Sequence, residues 1–203
     1  MKLKPDKPFN HQIYKPVHYK DNVSHPAIIQ AIRRLLPSSE STGLIIVCIG
    51  TDRSTGDSLG PLVGSHLEKL PLPNTFIYGT LERPVHAVNL QETLNEIDRT
   101  HSDSFIIGID ACLGREKNVG KICVAKGPVL PGAGVNKDLI PVGDMNITGI
   151  VNVSGYMEYA VLQNTRLSIV MSLSEVISQC LYHAVLSREK SGLLTKVKFS
   201  KKA

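Results

Sequence analysis

Cysteine is scarce in this sequence, and no two cysteines are close enough to form a CxxC pair. The four that occur are Cys48, Cys112, Cys123 and Cys180. Zinc fingers need closely spaced cysteines and small disulfide scaffolds need many of them, so this spacing argues against both. Most of the four lie in apolar runs, and we therefore expect reduced thiols in the core of a cytosolic protein.

Long hydrophobic runs are also missing. No apolar run approaches the ~20 residues that span a bilayer, and the polar N-terminal segment lacks the apolar core of a secretory signal. We therefore expect no membrane partner and a cytoplasmic location. The net charge is +5, and much of the basic excess lies in the N-terminal arm and in the tail KVKFSKKA. Without zinc-finger spacing or an RNP-like aromatic motif, this charge does not predict a nucleic-acid partner.

Two nucleotide-binding motifs that would assign a chemistry directly are absent. The sequence has neither GxGxxG nor GxxxxGK followed by Ser or Thr, which weakens Rossmann and P-loop interpretations. The pattern GxSxG does occur, once, as GDSLG over residues 56–60, and the same five residues contain Asp57. The remaining candidates are acidic residues that follow apolar segments.

The 203 residues are enough for one domain with a substantial core. We expect an extended or flexible arm over residues 1–22, a single domain over 23–188 and a basic flexible tail over 189–203. The patterns predict strands over 44–49, 76–80, 104–110, 120–126 and 167–171. They predict helices from residue 24 to Pro37, after Asp57, and over 88–97, 150–162 and 174–187, with a long Gly- and Pro-rich loop over 126–149. This alternation is typical of an α/β fold with a mostly parallel sheet that helices cover on both faces.

Two aspartates follow predicted strands. Asp57 lies in IIVCIGTDRSTGDSLGP, where Asp52 and Asp57 place negative charge before a helix and so argue against a phosphate site. Asp110 ends the apolar run of FIIGIDACLGR. Ligands of open parallel sheets bind beyond the carboxyl ends of the strands, so we expect Asp57 and Asp110 to converge on one cleft. Two nearby carboxylates suit general acid–base hydrolysis, because their repulsion splits their proton affinities, or a metal ion if a third ligand is supplied.

Five other residues are weaker candidates for the same cleft, and the first is Asp52, which lies nearer the start of the loop than Asp57. Arg53 and Arg115 are placed to neutralise an acid or to bind a carboxyl group of the substrate. His86 lies just beyond the second predicted strand, and Cys112 is better interpreted as a small core thiol than as a nucleophile. The two aspartates also have an ordinary structural interpretation, as caps of a helix and of a turn.

The segments GTDRSTGDSLGP, IDACLGR and LPGAGVNKDL, in that order, resemble the YyaC family of sporulation proteins from spore-forming Firmicutes. That family is similar to the germination protease that degrades small acid-soluble spore proteins, and more distantly to the hydrogenase maturation endopeptidases. The resemblance implies a three-layer αβα fold of the phosphorylase/hydrolase-like type. It also implies that Asp57 and Asp110 are the functional acids. The segment PGAGV resembles the PGSGV of the germination protease, which implies that Gly132 and Gly134 let the backbone approach a peptide substrate.

The sequence departs from the hydrogenase endopeptidases at their third metal ligand, a histidine at the start of the helix after the long loop. Here DMNITGIVN offers Asn146 or Thr148 instead. We therefore expect an aspartate-dependent peptidase that needs no cofactor, with a divalent metal on Asp57, Asp110 and His86 as one alternative. A catalytically inactive binding or regulatory protein of sporulation is the other.

The resemblance also implies the setting of the activity. The expected partner is a protein or peptide substrate, and small acid-soluble spore proteins are candidates. The expected location is the cytoplasm of the mother cell or forespore, or the spore core, and a homo-oligomer is compatible with the sequence.

Overall fold

A computed structural model describes residues 14–21, 24–39, 41–132 and 140–199, with only the backbone of Ser24 and of residues 189–199. The strands are β1 (Val17–His18), β2 (Leu44–Cys48), β3 (Thr75–Tyr78), β4 (Phe105–Gly114), β5 (Lys121–Lys126) and β6 (Met145–Val153). The helices are α1 (Ser24–Leu35), α2 (Leu59–Leu67), α3 (Leu90–Thr100), α4 (Glu158–Gln163) and α5 (Leu167–Phe199).

The six strands form one sheet in the order β1-β5-β6-β4-β2-β3. The pairs β2–β3, β2–β4 and β4–β6 are parallel, whereas β5–β6 and β1–β5 are antiparallel. The predicted mostly parallel sheet is therefore confirmed. Because β2 and β4 are neighbouring parallel strands inside the sheet, their carboxyl ends define the edge at which a ligand of such a sheet binds.

Helices cover both faces of the sheet and form a three-layer αβα fold. Strand β2 is an unbroken apolar run whose residues are all buried, as expected of a strand that is covered on both faces. Ile46 and Cys48 point to one core with residues of α1, α2 and α5. Ile45 and Val47 point to the other core with residues of α3. The predicted three-layer fold is confirmed.

Two predicted elements near the C-terminus are wrong. Residues 150–162 do not form one helix, because Met145–Val153 continues the sheet as β6 and only Glu158–Gln163 is helical. The strand predicted over 167–171 is the first part of α5. Short apolar runs fit a buried strand and a buried helix equally well, and pairing with β4 and β5 decides for β6.

The predicted arm and tail also differ from the structure. Val17–His18 pairs antiparallel with β5 and extends the sheet, so this end of the predicted arm belongs to the domain. Residues 1–13 lie outside the described residues. Helix α5 continues to Phe199 and passes the predicted domain boundary at residue 188.

Helix α5 is the central helix of the larger core. Leu167–Arg188 is long and apolar enough to cross a membrane by length and composition alone, yet half of that stretch is buried inside the fold. Val170, Leu173, Ile177 and Leu181 are fully buried against the sheet and its neighbouring helices. Its apolar character is therefore accounted for by the packing of this domain.

Candidate active site

Asp57 is held above the carboxyl end of β2 by a close contact between two backbone segments. It lies in a short 3-10 turn, Gly56–Ser58, at the start of α2, and its carbonyl accepts a hydrogen bond from the Thr51 N–H at 3.1 Å. Gly50 has a φ of +145°, and a Cβ there would lie 1.9 Å from the Asp57 carbonyl oxygen. Only glycine fits this approach, so Gly50 sets the position of Asp57.

The Asp57 side chain does not cap α2 within the part of the chain that the structure describes. The two residues in the cap positions of the 3-10 turn and of α2 are Thr55 and Ser58, and neither makes a capping side-chain hydrogen bond. The half-buried carboxyl group instead lies beside the hydroxyl of Ser54, which lowers its pKa. Because the buried Ser54 hydroxyl has no hydrogen bond of standard geometry, we interpret this contact as long or bent.

The sequence predicts Asp110 at the end of a strand, whereas the structure places it within β4, which continues to Gly114. The β2–β4 pairing stops at Cys48 and Ile109, so Asp110 is the first residue of β4 beyond the end of β2. Its Oδ1 accepts a hydrogen bond from the Ala111 N–H at 2.8 Å. The carboxyl group is therefore fixed to its own strand at the point where the neighbouring strand ends.

The electrostatics of the two carboxyl groups differ. The pKa of Asp110 is raised from 3.8 to about 8, with burial as the main cause, the Ala111 N–H opposing the shift and the charge of Asp57 adding to it. Burial also raises the pKa of Asp57, and the Ser54 hydroxyl opposes that shift. Because the Asp57 charge contributes to the shift of Asp110, Asp57 ionises first. Part of the Asp110 surface is open to a cavity, which moderates the effect of burial.

Both carboxyl groups line one cavity of about 790 Å³, a size typical of ligand sites. Most of its wall is apolar and comes from the loops after β2 and β5, from β4 and from α4. The lining residues beside the two aspartates include Ile49, Thr51, His86, Ala111, Leu113, Val129, Leu130, Thr148, Tyr159 and Leu162. The structure therefore brings Asp57 and Asp110 together, as the sequence predicts.

His86 and Cys112 also line this cavity. The Nδ1 atom of His86 accepts a hydrogen bond from the Val88 N–H at 3.3 Å, which orients the ring. Burial raises the pKa of the Cys112 thiol to about 12, so the thiol remains protonated at neutral pH and is a poor nucleophile. The interpretation of Cys112 as a small structural thiol is consistent with this.

The two arginines that the sequence suggested for substrate binding lie elsewhere. Arg53 and Arg115 are exposed and do not belong to the cavity wall, and Asp52 is exposed as well. Gly132 lines the cavity, whereas Gly134 lies outside the described residues. Sequence proximity to an acid is a poor guide here, because a loop side chain next to a buried residue often points to solvent.

Four polar cavity residues were missed or placed on the wrong element. Asn146 and Thr148 lie on β6, not at the start of a helix, and both line the cavity. Glu158 and Tyr159, at the start of α4, line it too. The Gly155–Met157 turn after β6 is the signal that could have found them, since it separates the strand from the helix.

A metal centre finds little support in the side chains. Within the described ranges, no group of three or more His, Cys, Asp or Glu residues is placed to hold a metal ion. Asp57 and Asp110 would need a third ligand, and His86 is not brought to them as one. The described side chains alone therefore do not form a three-ligand metal site.

The sequence and fold have identifiable relatives. Residues 16–180 match a family model described as "Protein of unknown function (DUF1256)". The chain is 53% identical over 166 residues to "Uncharacterized protein YyaC" of Bacillus subtilis (strain 168), which covers 79% of this chain and 81% of that protein.

Among solved structures, the fold is similar to a NiFe hydrogenase maturation protease, HycI, from Thermococcus kodakarensis KOD1. The TM-score is 0.54 at 15% identity, over 76% of this chain and 97% of that one. At this identity the likeness concerns the fold alone. It confirms the predicted phosphorylase/hydrolase-like fold, and the relative in Bacillus subtilis confirms the resemblance to YyaC.

Proposed function

The chain belongs to the DUF1256 family, and we propose that it hydrolyses peptide bonds with Asp57 and Asp110. The single observation that carries this proposal is the pair itself. Two carboxyl groups with different proton affinities line one largely apolar cavity at the carboxyl edge of the sheet. Such a difference is what general acid–base hydrolysis requires. The protease-like fold is consistent with the assignment.

We assign the role of general base to Asp57. It ionises first, and the Ser54 hydroxyl favours its charged form. Asp110 is the general acid, because a carboxyl group with a pKa of about 8 keeps its proton at neutral pH.

The reaction then follows from these protonation states. The Asp57 carboxylate accepts a proton from a water molecule as the water oxygen attacks the carbonyl carbon of the peptide bond. Asp110 donates its proton to the carbonyl oxygen as negative charge develops there. When the tetrahedral intermediate collapses, the C–N bond breaks, the proton held by Asp57 passes to the leaving amine, and the carbonyl oxygen returns its proton to Asp110. Both carboxyl groups end in their starting states, so no oxidant, reductant or nucleophilic side chain is consumed.

A cleavage assay with matched variants tests the proposal. A random-sequence peptide mixture is incubated with the wild type, Asp57→Asn, Asp110→Asn and the control Asp52→Asn, and the new termini are identified by mass spectrometry. We expect both site variants to lose ~10²-fold or more of the rate, the usual worth of a general acid or base. The Asp52 variant should cleave normally, because that side chain is exposed outside the cavity wall. Cleavage at the wild-type rate by either site variant would overturn the acid pair.

The biological setting is the finer part of the proposal. We propose that the activity serves sporulation or germination, and that small acid-soluble spore proteins are among its substrates. The relatedness to YyaC of Bacillus subtilis is consistent with this, and the resemblance of PGAGV to the germination protease motif supports a protein substrate. Incubation of the purified chain with a small acid-soluble spore protein tests it: fragments that Asp110→Asn does not produce support the setting, and an intact protein rejects this substrate.

A further inference from the structure

Strand β4 continues well beyond the end of its neighbour β2. The β2–β4 pairing ends at Cys48 and Ile109, whereas β4 pairs with β6 as far as Gly114 and Val153. Among the described residues, 111–113 of β4 therefore have a strand on one side only. On the other side, where β2 would lie if it were longer, the structure has a cavity that Ala111 and Leu113 both line.

The direction of the backbone groups along β4 can be read from hydrogen bonds at its two edges. Ile109 faces β2, because its carbonyl accepts from the Ile49 N–H at 2.7 Å. Gly114 faces β6, because its carbonyl accepts from the Ser154 N–H at 2.8 Å. Successive residues of a strand alternate between the two edges. The register shift between Cys112 and Leu113 places its extra residue, Val151, on β6, so the alternation along β4 is kept and Ala111 and Leu113 face the side that β2 has left.

Three backbone groups on this open edge point away from the β4–β6 ladder, and among the described residues they form no hydrogen bond outside the ladders. The Ala111 N–H donates to Asp110 Oδ1, which leaves the Ala111 carbonyl and both backbone groups of Leu113. An unpaired strand edge is a template for another strand, and strand addition is an established way in which proteins bind extended peptides. Here the edge begins next to the proposed general acid.

We propose that the substrate binds as an extended polypeptide strand that pairs with residues 111–113 of β4, in the place that β2 leaves open. This inference rests on the proposed function and names its substrate class: an extended or unfolded segment rather than the surface of a folded domain. A substrate strand added there would lie in line with β2, and one end of it would meet Gly50 just after β2. The substrate chain would then pass Asp57 and Asp110, where its peptide bond is cleaved.

The walls of the cavity suit the side chains of such a strand. Alternate side chains of a strand point to opposite faces of its sheet. On one face they would meet Leu162, which belongs to the core with α5. On the other face they would meet Val129, which belongs to the core with α3. Both walls are apolar, so uncharged side chains are favoured on both sides of the cleaved bond, whereas the backbone pairing itself is independent of sequence.

Amide hydrogen exchange at single-residue resolution tests this binding mode without requiring catalysis. The full chain with Asp57→Asn and Asp110→Asn is measured alone and with the random-sequence peptide mixture. The Leu113 amide should exchange rapidly in the free protein and become at least ~10-fold slower with peptide, because it then donates to the peptide backbone. The amide of Gly114, which faces β6, is the internal control and should change little.

A proline substitution tests the same hydrogen bond in turnover. Leu113→Pro removes an N–H that the β4–β6 ladder does not use, and Leu113→Ala shortens the same side chain but keeps the N–H. If the substrate pairs with this N–H, Leu113→Pro should have kcat/KM ~10-fold or more below that of Leu113→Ala, as expected for one lost hydrogen bond. Thermal unfolding of both variants shows whether the fold is kept, and the exchange measurement stands even if the proline variant is unstable.

The outcomes separate this inference from the proposed function. Protection of the Leu113 amide together with cleavage by the wild type supports both. Cleavage with an unchanged Leu113 amide overturns strand addition and leaves the peptidase. Protection without cleavage supports strand binding and overturns the peptidase, and the absence of both effects overturns both.

Discussion

Replacement of Asp110 by asparagine should make the stability of this protein less dependent on pH. Asparagine keeps the shape of the side chain and an oxygen that can accept from the Ala111 N–H, but it cannot ionise. The pKa of Asp110 is about 8 in the folded chain against an ordinary value of 3.8. Between these values the folded state binds a proton that the unfolded state has released. The Asp110 carboxyl group therefore makes its full contribution to the free energy of unfolding below about pH 4, and this contribution is lost as the pH rises through about 8.

The size of the effect follows from the shift. The whole shift of about four pKa units corresponds to a ceiling of ~6 kcal/mol, of which the ~3 units between pH 5 and pH 8 carry ~4 kcal/mol. Part of the Asp110 surface faces the cavity, where water moderates the burial, so we expect about 2–3 kcal/mol. The variant avoids this loss. From pH 5 to pH 9, its free energy of unfolding relative to the wild type should therefore rise by that amount.

Urea unfolding of the wild type and Asp110→Asn at both pH values measures this difference. Asp52→Asn is the control, because Asp52 is exposed and its replacement should have the same effect at both pH values. If the stability difference between Asp110→Asn and the wild type is also the same at both, Asp110 has an ordinary pKa. The assignment of Asp110 as the general acid would then fail.

Three further substitutions test the geometry of the site. Gly50→Ala places a Cβ 1.9 Å from the Asp57 carbonyl oxygen and should cost about 2–4 kcal/mol of stability and most of the cleavage rate. The control Gly155→Ala, whose Cβ would have nothing within 4 Å, should be neutral. Equal thermal unfolding of the two variants would contradict the close approach of Gly50 to Asp57. Cys112→Ala should still cleave peptides, because the pKa of that thiol is raised to about 12; loss of cleavage to background would identify a thiol nucleophile. Ser54→Ala should move the acidic limb of the pH–rate profile to higher pH, since the hydroxyl lowers the pKa of Asp57; an unmoved limb would show that the hydroxyl has no such effect.

The central part of the fold can be predicted from the sequence because its strands are short, apolar and bounded by turn residues. Leu44–Cys48 and Phe105–Gly114 are such runs, and each leads to one of the two aspartates. The rule that ligands bind at the carboxyl edge of a parallel sheet then predicts one shared cleft. The structure places both aspartates in it, while their catalytic role stays a prediction.

The C-terminal half was harder to predict, for a physical reason. Met145–Val153 contains buried residues at positions that suit a helix as well as a strand, and only its pairing between β4 and β5 makes it a strand. Because the local pattern of this segment predicts a loop and a helix, it does not reveal Glu158 and Tyr159 as residues of the cavity wall. Tertiary pairing is not encoded in local periodicity.

The open edge of β4 was also out of reach of sequence reasoning. It depends on β2 ending at Cys48 while β4 continues to Gly114, and the relative lengths of two neighbouring strands appear only once their register is known. The same holds for the side-chain directions of Arg53 and Arg115, which are exposed although they lie close in sequence to the aspartates.

The most direct test of the acid pair is the rate of peptide cleavage as a function of pH. The random-sequence peptide mixture is cleaved by the wild type from about pH 4 to about pH 10, and kcat/KM is followed by mass spectrometry. The rate should rise as Asp57 ionises and fall as the pH passes about 8, where Asp110 loses its proton. A rate that stays level through pH 8, or no cleavage at any pH, would contradict the account.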